Sequence, residues 1–169
     1  MSNLLYLVGK YRGVVVDNAD PSKLGRIRVR CDEVAGSTPL TWALPCFPVA
    51  GNGVGIVSIP PVGAQVLVEF MGARIDAPVW VGGFYGLEDK VPPHVQKDAS
   101  DPTQMVFLSD GVGIVITGGE SGGSIKLICG DGPSITLSSA GIEISAAGKS
   151  VTVTGSPITL NGEALRIEG

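Results

Sequence analysis

The chain has 169 residues, a net charge of −4, three cysteines, 12 prolines and 25 glycines. That length holds one ordinary domain and an extension. The acidic balance argues against nucleic acid as the main partner, since phosphate-binding surfaces carry a basic excess. Collagen is excluded because the glycines follow no Gly-X-Y period, and disorder because 44% of the residues are apolar.

Cys31, Cys46 and Cys129 form an odd, scattered set, read as buried reduced thiols rather than a disulfide framework. Met1 to Gly13 has no signal-peptide layout, and no run approaches the ~18 apolar residues of a membrane helix. Synthesis in the cytoplasm is therefore expected.

Residues 1–88 read as strands separated by turns. Tyr11 to Asp17 is a β-branched run, closed by Asn18 to Ser22. Gly25 to Asp32 alternates Ile27 and Val29 with Arg26, Arg28 and Arg30, which predicts one apolar and one basic face. Further runs are Leu40 to Phe47 with Trp42, Gly53 to Ile59, Gln65 to Phe70 and Pro78 to Tyr85. No window holds a helical period. So many short strands, bent at glycines, suit a small closed Greek-key barrel. Gly51 to Gly55 alternates glycines, yet it leads into strand-like sequence, so it reads as a loop or bulge and not a phosphate cradle.

Residues 89–104, rich in proline and polar side chains, form a linker. Residues 105–169 then repeat an apolar-x-apolar pair: Ile125/Leu127, Ile135/Leu137, Ile142/Ile144, Val151/Val153, Ile158/Leu160 and Leu165/Ile167, with starts 7 to 10 residues apart. The residues between, Lys126, Thr136, Glu143, Thr152, Thr159 and Arg166, are all polar. Each short strand thus has one dry and one wet face. Two or three aliphatic side chains, at roughly 1.5–3 kcal/mol each, do not offset roughly 1–2 kcal/mol of backbone entropy per residue. A single-chain solenoid needs longer coils of about 20 residues or more. Three chains sharing one core resolve the deficit, which predicts a homotrimeric, triple-stranded, intertwined β-helix. Stacked at about 4.8 Å, its strands would make a needle on the order of 30 Å long.

An enzyme is not expected. There is no Gly-x-Ser-x-Gly elbow, and the single histidine, His94, stands in the linker. Glu69, Asp76 and Glu88 have no spacing that singles out an acid and a base. No catalytic residue, metal or cofactor is assigned. The alternative is a nucleic-acid-binding OB domain with a β-rich oligomerisation tail, motivated by Arg26, Arg28 and Arg30. Such binders pair a basic groove with exposed stacking aromatics, whereas Trp42, Phe70 and Trp80 stand in strands where burial is expected.

Several residues carry a family resemblance. Asp20, Pro21, Leu24, Gly25 and Arg26, after the strand Gly13 to Asp17, resemble an Asp-Pro turn and a Leu-Gly-Arg second strand. Pro61, Gly63 and Phe70 resemble a Pro-x-Val-Gly…Phe element, and Pro78 and Gly82 a closing strand. Together they resemble the OB-fold domain of contractile-tail central spikes, the phage baseplate assembly protein V, puncturing-spike and VgrG group. The resemblance implies an all-β structural spike of a phage tail or injection system. It implies a separate hub protein at the OB end, because VgrG proteins carry a hub-like region before this domain. It implies mechanical contact with a target envelope. The linker has no room for the lysozyme domain some spikes insert, and no His-x-His is present to hold an apex metal. A PAAR-type tip protein is then expected at the C-terminal end.

Overall fold

The computed structural model describes residues 7–87, 91–92, 102–119 and 122–153. The chain is nearly all-β and forms two compact units, Met1–Lys90 and Val91–Gly169.

The first unit contains β1 (Tyr11–Asp17), β2 (Arg28–Arg30), a four-residue helix α1 (Asp32–Ala35), β3 (Leu44–Pro45), β4 (Ala50–Gly51), β5 (Val54–Gly55), β6 (Gln65–Phe70), a short 3₁₀ turn (Met71–Ala73) and β7 (Pro78–Phe84). Five of the strands make one curled sheet in the order β2-β1-β6-β7-β3. Its two edges are drawn together. Ile27 and Ala43 exchange both backbone hydrogen bonds (3.2 and 2.8 Å), and the Leu40 amide donates to the Val29 carbonyl at 2.8 Å. The curled half-barrel is closed by these isolated bridges rather than by a full ladder.

Alternation decides what lies inside. On β6, Val66, Val68 and Phe70 are buried while Gln65, Leu67 and Glu69 between them are not. Leu7, Val15, Ile27, Val29, Cys31, Leu40, Ala43 and Trp80 complete the core. Gly13 is what lets β1 approach β2, since a Cβ there would fall 2.2 Å from Val29 Cγ1. Leu67 faces Gly82 and Val68 faces Trp80, so Val81 is an extra residue and β7 bulges. Such bulges bend a strand and increase its twist, as a curled sheet requires.

The sequence expectations hold for β1 and β6 and shrink elsewhere. Leu40 to Phe47 yields only Leu44–Pro45, because Pro39, Pro45 and Pro48 donate no ladder hydrogen bonds. Gly53 to Ile59 contributes only Val54–Gly55, which pairs with Ala50–Gly51 in a small hairpin turned at Asn52 and Gly53. The glycine-rich stretch is therefore a hairpin rather than a plain loop.

The second unit is an antiparallel meander of β8 (Gln104–Ser109), β9 (Val112–Thr117), β10 (Ser124–Cys129), β11 (Ser134–Ser138) and β12 (Gly141–Ser145). The β8–β9 turn is Asp110-Gly111, both at positive φ (47° and 80°), the arrangement a two-residue hairpin favours. Within one chain, consecutive strands pair with each other, leaving the sheet face and the outer edges for further partners.

Candidate functional site

The family-signature residues assemble at one turn. After β1, the chain must reverse before β2, and the Asp20 carboxylate organises that reversal. One oxygen accepts from the Ser22 amide at 2.9 Å, the other from the Leu24 amide at 2.8 Å and the Arg26 amide at 3.2 Å. The Arg26 guanidinium closes the loop, with Nε and Nη2 donating to Asp20 at 3.0 and 2.7 Å. The Asp20 side chain is only 4% exposed. These donors, led by Arg26, hold its pKa well below the ordinary aspartate value of 3.8. The same pairing raises the pKa of Arg26.

Pro21 and Leu24 are on the outside of this turn, with Leu24 58% exposed. Gly25 turns inward at φ +76°, where a Cβ would lie 2.8 Å from Phe47 Cζ and 2.9 Å from Ile59 Cδ1. Its carbonyl accepts the indole N–H of Trp80 at 3.2 Å, and Trp80 meets Phe47 edge-on at 5.6 Å. Gly63, at φ +90°, donates to the Val15 carbonyl at 2.9 Å, while Ala64 donates to Pro61. Phe70 pairs with Pro78 across β6 and β7 and is stacked edge-on by Tyr11 at 5.6 Å. Gly82 sits at the β7 bulge. The signature thus supplies turns, a bulge and a core contact, and brings together no set of reactive groups.

The arginines behind the nucleic-acid alternative are engaged. Arg26 holds Asp20, Arg30 pairs with Asp32 at 3.1 Å, and Arg28 Nε donates to the Leu40 carbonyl at 3.4 Å. Phe70 and Trp80 are buried. Trp42 differs from expectation: it lies beside the Ala43 bridge, not in a strand, and is half-buried under the Arg26 guanidinium at 5.7 Å.

The carboxylates weighed for catalysis are spread apart. Glu69 pairs with Lys10 and Asp76 with Arg74, while Glu88 and His94 lie outside the described residues. Among the described residues no cluster of His, Cys, Asp and Glu could hold a metal ion, and no helix is long and apolar enough to cross a membrane. The thiol expectation needs correction. Cys31 is buried, which pushes its pKa up, but Cys46 and Cys129 are exposed. Cys129 ends β10 next to buried Ile128, where alternation turns it outward, and Cys46 lies just past β3.

The second unit presents the larger surface. Its register aligns Met105, Ile116, Ile125, Leu137 and Ile142 in one row, and Phe107, Ile114, Leu127, Ile135 and Ile144 in another. Both rows project from the same face, because residues two apart on a strand share a side. Lys126, Thr136 and Glu143 align on the opposite face, with Val106 and Val115. Ile142 is 73% exposed and Ile125 43%. Val151 and Val153 are exposed as well, beyond β12. Ile158, Leu160, Leu165 and Ile167 lie outside the described residues. Sequence reasoning missed the β8 and β9 members of the rows. Ile128 is the single buried hydrophobic among the described residues of this unit.

A barrel whose signature residues are structural, joined to a sheet with an uncovered apolar face, defines a class: a scaffold domain carried by an oligomerising β-unit. Comparison with known families gives the class its place. Residues 11–85 match the type VI secretion system/phage-baseplate injector OB domain, and residues 101–166 match the phage baseplate V C-terminal trimerisation domain. The chain belongs to the baseplate V/VgrG-like spike family. No curated protein matches it.

Proposed function

We propose that the chain is the non-enzymatic central spike of a contractile tail or injection-system baseplate, working as a homotrimer. In this reading the barrel (1–88) docks on a separate hub, a linker (89–104) follows, and the β-unit (105–169) forms a needle that pierces the target envelope. The needle core is formed by the apolar pairs from Ile125/Leu127 to Leu165/Ile167. A PAAR-type tip protein caps its end, and the protein acts within the assembled particle.

One observation carries the reading. The meander exposes two rows of large apolar side chains and buries almost none of them. A sheet that is hydrophobic on one face must bury that face against another element, and contiguous apolar faces mark association sites. The match of this segment to a trimerisation domain supports three copies as the cover. Once covered on its apolar face, the sheet turns Lys126, Thr136 and Glu143 the other way, beside Val106 and Val115.

The reading is tested by epitope-tagging the chain in particles that contain it and locating the label by electron microscopy. Label at the baseplate end of the tail supports it; particles without label there refute it.

A further inference from the structure

The hairpin β4–β5 is exposed at its turn, while Ile56 after it lines a shallow pocket with Trp80 and Val81 of the same barrel. Residues 48–58 are exposed throughout, with Val49 at 45%, Val54 and Val57 at 64% and Ile56 at 58%. A Cβ at Gly51 or Gly53 would meet nothing within 4 Å. The arm also carries no charge: no Asp, Glu, Lys or Arg stands between Glu33 and Glu69. Proteins blunt free hairpins and strand edges with charge, lysine above all, whereas the centres of protein interfaces are depleted of it. An apolar, uncharged projection is built to be covered.

The same barrel offers a complementary surface. Pro60, Pro61 and Val62 on one side and Phe84 and Tyr85 on the other line a groove of about 720 Å³, again without a charged residue. Val62 and Tyr85 are 61% and 57% exposed. Arm and groove use different residues, so a contact between copies is head-to-tail, and such contacts close on themselves in a cyclic assembly.

We infer that each arm, through Val54 and Ile56, docks into the Pro60–Tyr85 groove of the next copy, forming a ring of three barrels. The inference rests on the three-chain assembly. That assembly also favours this occupant. Each barrel is tied to the trimerisation segment by the residues between Phe84 and Gln104, at most roughly 70 Å of chain even when fully extended. Tethered partners of this kind meet at about millimolar effective concentration, so an arm encounters neighbouring barrels before any other protein.

The test places the photo-crosslinker p-benzoylphenylalanine at Ile56 of the full chain. Native mass is measured first, then the sample is irradiated and run on a denaturing gel. A three-chain native mass, with covalent dimers and trimers whose links map to residues 60–64 or 83–85, is the expected result. A three-chain mass with only single-chain bands, or with links elsewhere, overturns the docking while leaving the trimer intact; an arm reserved for the hub would give that outcome. A single-chain native mass overturns both.

Discussion

The indole N–H of Trp80 donates to the carbonyl of Gly25 across 55 positions of sequence. This bond ties the Asp20–Arg26 turn to the bulged strand β7. Four features converge on Gly25: a positive φ, the Phe47 ring, the Ile59 side chain and the Trp80 donor.

Gly25→Ala is therefore expected to destabilise the barrel. The new methyl group meets Phe47 and Ile59 at under 3 Å, in a backbone region that side chains disfavour. Overpacking and positive-φ strain together cost about 1–3 kcal/mol. A lowered denaturant midpoint of the tryptophan fluorescence transition checks it, since Trp80 reports on this contact.

Asp20→Asn removes the charge from the turn. The folded-state pKa of Asp20 is depressed, so its contribution is complete above the unfolded value near 3.8 and is lost as pH falls below it. The wild-type chain should lose stability in acid more steeply than the variant, and the difference between the two should be flat above about pH 5. Denaturation midpoints from pH 2 to 7 measure this. Asp76, also depressed by Arg74, is common to both proteins and cancels.

Leu127→Ala should weaken the assembly while Lys126→Ala should not. The two are neighbours on β10 but face opposite sides. Removing Leu127 from a shared core costs about 1.5–3 kcal/mol per copy, repeated three times in a trimer. Melting of the trimer, followed by light scattering, should shift downward for Leu127→Ala alone.

Gly113→Ala should break the β8–β9 hairpin, because a Cβ there would lie 2.1 Å from the Phe107 carbonyl oxygen and 3.0 Å from Leu108 Cα, both backbone. Loss of trimer with an unchanged tryptophan signal from the barrel is the expected pattern.

Strands were legible in the sequence where their pattern was local. Tyr11–Asp17 and Gln65–Phe70 were readable from β-branched content and alternation. Helix α1 was not, since the four residues of Asp32–Ala35 are too few to show a period. The parallel pairing of Leu44 with Val79 and the Trp80–Gly25 bond link distant segments and leave no local trace. Asp20 and Arg26 were visible as a motif, but Arg26 read as one of three arginines on a strand face; its engagement with Asp20 emerged only in three dimensions. In the β-unit, the apolar-x-apolar spacing marks one apolar face of the sheet from Ile125 onward, because Lys126, Thr136 and Glu143 stand between the apolar residues and face the other way. Met105/Phe107 and Ile114/Ile116 share that spacing, yet Val106 and Val115 stand between them, so polarity did not distinguish the faces there.

The most direct measurement is the mass of the full chain by sedimentation equilibrium at micromolar concentration, compared with the mass of Leu127→Asp. The account predicts three times the 17.3 kDa chain mass for the wild type and collapse of that species in the variant. A wild-type chain sedimenting at 17.3 kDa would contradict it.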